Sequence, residues 1–261
     1  MKRYFVVTIS CFILIGSFIL LVYSDKETGT IQGRVLLEGN VPNLPQIVAD
    51  KNIDFCGETL TDFVLVVQGR GVQGAVISID WKGHAPIKSE PEFISLQSRQ
   101  CRFQPRIQAT QVGALLELKS GDEITHNPHG WWNDIKTVFN ITLLNPNRKF
   151  KRKLKWEGIY RVGCDTHTWM KAYILAFKHP FYAITDTEGV FEIKNVPVGN
   201  YTIRVWHEVL GEQTSIVVVK SGKTTSVDFI RPLIDHRSEK LKPKTTLPWP
   251  PNKGNALRKA Q

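Results

Sequence analysis

Short runs in which apolar and polar residues alternate, bounded by Gly, Pro, Asn and Asp, fill almost the whole chain from Thr30 onward. They fall at 31–37, 62–67, 74–80, 114–118, 138–144, 158–162, 171–177, 189–193, 201–206 and 215–219. A period of two sends successive side chains to opposite faces of a strand, and the runs are rich in β-branched and aromatic residues that suit a pleated, half-buried surface. No segment after the N-terminus carries an apolar stripe of helical period. The pattern predicts an all-β protein of antiparallel sandwiches. A chain of 261 residues, 42% hydrophobic and 22% charged, is neither disordered nor collagen-like nor a multi-span membrane protein, and it can bury one large core or two small ones.

The N-terminus predicts export. Residues 1–3 include Lys2 and Arg3, residues 4–23 are apolar and uncharged, and Ser24-Asp25-Lys26-Glu27 ends the run. Segment 1–24 reads as a signal peptide cleaved after Ser24, or as an uncleaved signal anchor that associates with the membrane through 4–23. Basic residues on the N-terminal flank keep that end in the cytoplasm and send the rest across, to a periplasmic or other extracytoplasmic location. Cys11 sits inside the run without a lipobox before it. Export also makes nucleic acid an improbable partner for a chain with 34 Lys+Arg against 24 Asp+Glu.

Composition divides the remainder. A boundary is expected near Lys178-His179-Pro180, separating a sandwich over 61–178 from a compact turn-and-strand pattern over 179–230. Residues 25–60 form an N-terminal strand segment, and 231–261, with eight Lys/Arg and five prolines, reads as an extended basic tail.

Four cysteines without a C-x-x-C pair exclude a zinc ribbon, a thioredoxin-type pair and c-type haem attachment. Met170 is the only methionine besides Met1. It closes Cys164-Asp165-Thr166-His167-Thr168-Trp169-Met170, a C-x2-H-x2-M loop between two predicted strands. A second loop, Thr125-His126-Asn127-Pro128-His129-Gly130, offers the imidazole that would complete a set of two histidines, one thiolate and a weak thioether. That is the donor set of type 1 copper. Thiolate and thioether are soft and suit Cu(I), imidazole suits both oxidation states, and a rigid sandwich limits rearrangement when one electron moves. All four positions are protein donors, so no site is left open for substrate. One-electron transfer is favoured over catalysis, and the chain is not expected to be an enzyme. The paired H-x-H motifs of a trinuclear oxygen-reducing cluster are absent.

Gly158-Ile-Tyr-Arg-Val-Gly-Cys164-Asp-Thr-His167-Thr-Trp-Met170 resembles the copper loop of cupredoxins, with the short spacing of amicyanin-type proteins, and His126-Asn127-Pro128-His129 resembles the family's upstream H-N-x-H. The resemblance covers roughly 61–178. It implies a Greek-key β-sandwich with one mononuclear type 1 copper held by His126, Cys164, His167 and Met170. Asn127 would join the two ligand loops by hydrogen bonds, and His129 would lie just outside the ligands. Residues from about 183 to 230 resemble a carboxypeptidase regulatory-like domain, a smaller transthyretin-like sandwich, and exported methylamine utilisation-type proteins join these two modules. The opening Gly29-Thr-Ile-Gln-Gly33-Arg-Val-Leu-Leu-Glu-Gly39 also resembles the first strand of such a domain, which leaves open that the cupredoxin is inserted within it.

In an oxidising compartment three exported cysteines leave one over. With Cys164 as a candidate ligand, Cys56 and Cys101 read as a disulfide, the alternative being two free thiols. His207 reads as a structural residue of the second sandwich, whereas His84, His179 and His236 carry no pattern. The run 148–155 holds six cations in eight residues. It is either a solvated sheet edge or a surface that steers toward an acidic redox partner or an anionic membrane. Trp131, Trp132 and Trp169 would frame an exposed edge of His167 as a docking patch, or seal the metal from water. The expected partners are a redox donor and acceptor. The competing functions are a periplasmic copper carrier or sensor, and a metal-free surface protein whose two sandwiches bind another molecule.

Overall fold

A computed structural model describes residues 27–41, 44, 46–83, 92–144 and 148–232. Residues 1–24, expected to be a signal peptide or anchor, His84, His236 and nearly all of the basic tail lie outside the described residues. Within them, no helix is long and apolar enough to cross a membrane, and the one helix is the single turn Ile53–Cys56. The rest of the regular structure is β, as the alternation requires.

Four sheets pack as two sandwiches. In the first, Thr28–Glu38 runs antiparallel to Val190–Pro197 and parallel to Thr224–Ser226 and Phe229–Pro232. Its facing sheet runs Tyr182–Ile184, Val76–Ile79, Gly199–His207, Gly211–Val219. Ile31, Val35, Leu37, Phe191 and Ile193 meet Ile77, Ile79, Ile203, Val205 and Val217 between them. In the second, one sheet is ordered Lys149–Lys153, Leu115–Ser120, Phe93–Arg99, Arg102–Gln104. The other is ordered Lys136–Asn140, Pro128–Trp132, Gly158–Cys164, Lys171–Phe177, Ile107–Gln111. Leu96, Leu116, Leu118, Phe139, Tyr160, Val162 and Ile174 fill the space between, together with Cys164 and Met170.

The pairings interleave the chain. Among the described residues, strands 93–177 pair only among themselves, while strands before and after them share the sheets of the first sandwich. Val67–Gln68, Gly71–Val72 and Val76–Ile79 lie inside the stretch 61–178 but pair in those flanking sheets. Alternation identifies a strand and its buried face; it carries no information about which distant strand the edge will meet.

Lys171–Phe177 explains how the sandwiches join. Ala172, Ile174 and Ala176 point into the second core, whereas Tyr173, Leu175 and Phe177 pack with Val76 and Trp206 of the first sandwich. A strand buried on both faces loses alternation and reads as a continuous apolar run. Burying Leu175 and Phe177 contributes roughly 1.5–3 kcal/mol each. Beside this seam, the Arg106 guanidinium grips the buried Glu208 carboxylate with two hydrogen bonds of 2.5 and 2.8 Å.

Candidate metal centre

Cys164 is the last residue of Gly158–Cys164, and the chain turns back into Lys171–Phe177 within six residues. The Met170 N–H donates to the His167 carbonyl at 2.9 Å, which closes that turn. His126 reaches the same point from the other loop. It pairs with Leu143 by an isolated bridge, and the strand that follows places Pro128 opposite Cys164. The main-chain N–H groups of Asn127 and His167 donate to the Cys164 sulfur at 3.3 and 3.4 Å.

Three donor atoms converge. His126 Nδ1 lies 3.1 Å from His167 Nδ1, which lies 3.7 Å from Cys164 Sγ. The ligand atoms of this group all fall within 4.8 Å of one another. Donors bound at ~2.0–2.3 Å to one ion sit ~3–4 Å apart, so the 3.1 and 3.7 Å separations fit a single ion. His126 and His167 are 0% exposed and Cys164 4%.

The outward nitrogens explain why Nδ1 faces inward. His126 Nε2 donates to Asp122 Oδ2 and His167 Nε2 donates to Asn52 Oδ1, each at 2.9 Å. Both partners accept, so each neutral ring carries its proton on Nε2 and turns an Nδ1 lone pair toward the other. Two lone pairs at hydrogen-bond distance beside a sulfur repel unless a cation stands between them. In the metal-free protein one proton can serve. Burial pushes His126 down, but Asp122 and Cys164 outweigh it and hold the imidazole above its usual range. His167 is driven down to about 4 by burial and by the neighbouring His126 charge. Burial raises the Cys164 thiol, yet His126 and the surrounding N–H groups hold it below the ordinary thiol range. The group can therefore hold a metal ion in exchange for a proton.

The other expected residues are placed as follows. Met170 is buried in the same cluster as Cys164. The Asn127 main-chain N–H meets Cys164 Sγ and its carbonyl accepts from Asp165 N–H at 3.0 Å, while its side-chain Oδ1 is buried with no hydrogen-bond partner among the described residues. His129 turns away, bonded to the Asp165 carboxylate at 3.1 Å and stacked on Trp131. His167 is fully buried, so the docking-patch alternative, which needs an exposed edge of that ring, does not apply. Of the three tryptophans only Trp169 packs on it, at 5.1 Å between rings, and Trp132 instead hydrogen-bonds the Glu157 carbonyl. His207 is buried in the first sandwich, with Nδ1 accepting from Val209 N–H. Cys56 and Cys101 form a disulfide and Cys164 is free.

Sequence reasoning missed Asp122 and Asn52. Asp122 stands four residues before His126, at the end of a recognisable strand and turn, a spacing that could have flagged it. Asn52 is 115 residues from His167 and leaves no local trace.

Parts of the chain are similar to known proteins. Residues 165–227 match a family model described as polysaccharide lyase family 4, domain II. That stretch overlaps most of the one expected to resemble a carboxypeptidase regulatory-like domain, and the match is to a different module. No curated protein matches the chain. Among solved structures, a purple cupredoxin from Nitrosopumilus maritimus is 19% identical over 32% of this chain and 98% of its own, with a TM-score of 0.29. A reduced Cu(I) amicyanin variant is 12% identical over 39% of this chain and 98% of its own, with a TM-score of 0.30. The copper-containing nitrite reductase of Thermus scotoductus SA-01 is 17% identical over 36% of this chain but only 25% of its own, with a TM-score of 0.30.

Proposed function

We propose that this chain is an exported type 1 copper protein carrying single electrons between redox partners outside the cytoplasm, with strands 93–177 as its cupredoxin module. One observation carries the reading: two imidazole Nδ1 atoms and a cysteine sulfur, all on buried residues, meet at 3.1 and 3.7 Å. His126, Cys164 and His167 would hold copper, and Met170, buried in the same cluster as Cys164, would supply a weak thioether donor. Bound copper would supply a one-electron couple. The protein's share is orientation and exclusion. Asp122 and Asn52 aim the imidazoles, two main-chain N–H groups polarise the sulfur, and Trp169 covers His167. Preset donors of this kind need little movement when charge changes, and a full donor set leaves no coordination position for a substrate.

The test is copper loading of the full chain. An intense thiolate-to-copper absorption band is expected, lost in Cys164→Ala, and Met170→Gln should retain copper at a lower potential. Protein from a copper-replete host with neither stoichiometric copper nor the band would overturn the proposal.

A further inference from the structure

The Cys56–Cys101 disulfide sits where the supports of both imidazoles meet. On one side, the Asn52 carbonyl accepts from Phe55 N–H at 3.0 Å and from Cys56 N–H at 2.8 Å, so the single turn Ile53–Cys56 rigidly joins Cys56 to the residue that holds His167. On the other side, Cys101 N–H and its neighbour Gln100 N–H donate to the Asp122 carboxylate at 3.0 and 2.6 Å, and that carboxylate holds His126. The Cys101 carbonyl also accepts from Trp169 Nε1 at 3.0 Å, and Trp169 packs on His167. Ala49, Leu60 and Cys101 close over the bridge with Ile47, Cys56, Ile124 and Trp169 in a small apolar cluster of its own.

The backbone here is unusual. Asn52, Gln100 and Cys101 all have left-handed φ, at 51°, 51° and 54°. Non-glycine residues hold such angles only where their surroundings impose them, and such strain tends to gather at working parts of a fold. The segment 46–60 has little else to hold it. Among the described residues its only strand pairing is the short ribbon Ile47–Val48 with Thr59–Leu60, and Val48, Ile53 and Phe55 are exposed.

We propose that the Cys56–Cys101 disulfide is a positioning element of the metal centre, fixing His167 through Asn52 and His126 through Asp122 so that both Nδ1 atoms face inward. It rests on the metal-binding reading above. Opening the bridge frees the 46–60 segment and uncovers His167. Both rings can then take the other tautomer, and the centre loses its preset geometry while the sandwich of 93–177 remains folded.

The experiment uses the metal-free full chain, so its outcome does not depend on copper. Long-range 15N–1H correlation at pH 8 reads the imidazole tautomers. The wild type should show Nε2–H on both rings. Asn52→Ala should disturb His167 alone, and the double substitution Cys56→Ser with Cys101→Ser should disturb both rings. The same change should follow treatment of the wild type with dithiothreitol, which gives two electrons and two protons to the bridge and closes to its own cyclic disulfide. In copper-loaded protein, loss of such supporting contacts should speed Cu(I) release to a chelator about tenfold or more. Unchanged tautomers in the folded double variant would overturn the proposal. So would collapse of the 93–177 amide spectrum in both the double variant and the reduced wild type, which would make the bridge a general staple. Shifted tautomers in a protein that takes up no copper would leave the positioning role standing and remove the metal reading instead.

Discussion

Replacing Asp122 by Asn keeps the side chain's shape and removes one acceptor. In the native protein Oδ1 accepts from Gln100 N–H at 2.6 Å, and Oδ2 accepts from both Cys101 N–H at 3.0 Å and His126 Nε2 at 2.9 Å. An amide has one oxygen. If it occupies the Oδ2 position, the NH2 group meets Gln100 N–H donor to donor, so one charge-assisted bond worth about 1.5–3 kcal/mol is lost. The two remaining bonds become neutral and fall to roughly half their strength. The sum is a destabilisation of about 3–6 kcal/mol. If the amide flips, its NH2 faces His126 Nε2 and drives the ring proton to Nδ1, where it competes with metal. Loss of such a supporting contact lowers metal affinity by about 10–100-fold. Chemical denaturation of the metal-free protein and competition with a Cu(I) chelator read the two effects separately. Burial alone would raise the Asp122 carboxyl, but His126 and the two N–H groups hold it below the usual carboxylate range. Its contribution is therefore present above about pH 4 and lost as pH falls through the folded-state value, so the variant should differ most from wild type near neutrality. A variant with wild-type stability and copper affinity at neutral pH would refute the assignment of Asp122 as the support of His126.

Three further outcomes are expected. A Cβ at Gly33 would lie 1.7 Å from the Val227 carbonyl oxygen, so Gly33→Ala should destabilise the first sandwich by more than about 4 kcal/mol, measured by urea denaturation. Burial lowers His207 to about 4, so its stabilising contribution is complete above pH ~6.5 and shrinks as pH falls toward 4. The span corresponds to about 3 kcal/mol, and His207→Gln should flatten the pH dependence of the thermal midpoint between pH 7 and 4. Lys149 and Lys151 flank Glu117 on the edge strand Lys149–Lys153. Changing the strand's three lysines to Gln should weaken the ionic-strength dependence of electron transfer to hexacyanoferrate(III), measured by stopped flow, and an unchanged dependence would remove a steering role.

The C-x2-H-x2-M loop was readable because its geometry is local: six residues between two strands leave the donors of Cys164 and His167 little choice but to approach each other. The strands were readable for the same reason, since alternation needs only neighbours in sequence. Lys171–Phe177 shows where that reading weakens. Its unbroken apolar run reflects a second sandwich packed on the outer face, a fact that no window of residues contains.

Chain chemistry by itself determined the β class and the kinds of donor available, and it favoured a Cys56–Cys101 bridge over two free thiols. Tertiary structure decided the rest. It sends Thr28–Glu38 to strands that begin at Val190, Thr224 and Phe229, and it brings Asn52 across 115 residues to His167. It also buries the imidazole edge that sequence left open to a partner. The physical reason is range: side-chain direction along a strand follows from the backbone within a few residues, whereas the partner of a hydrogen bond or sheet edge is selected by packing among segments far apart in the chain.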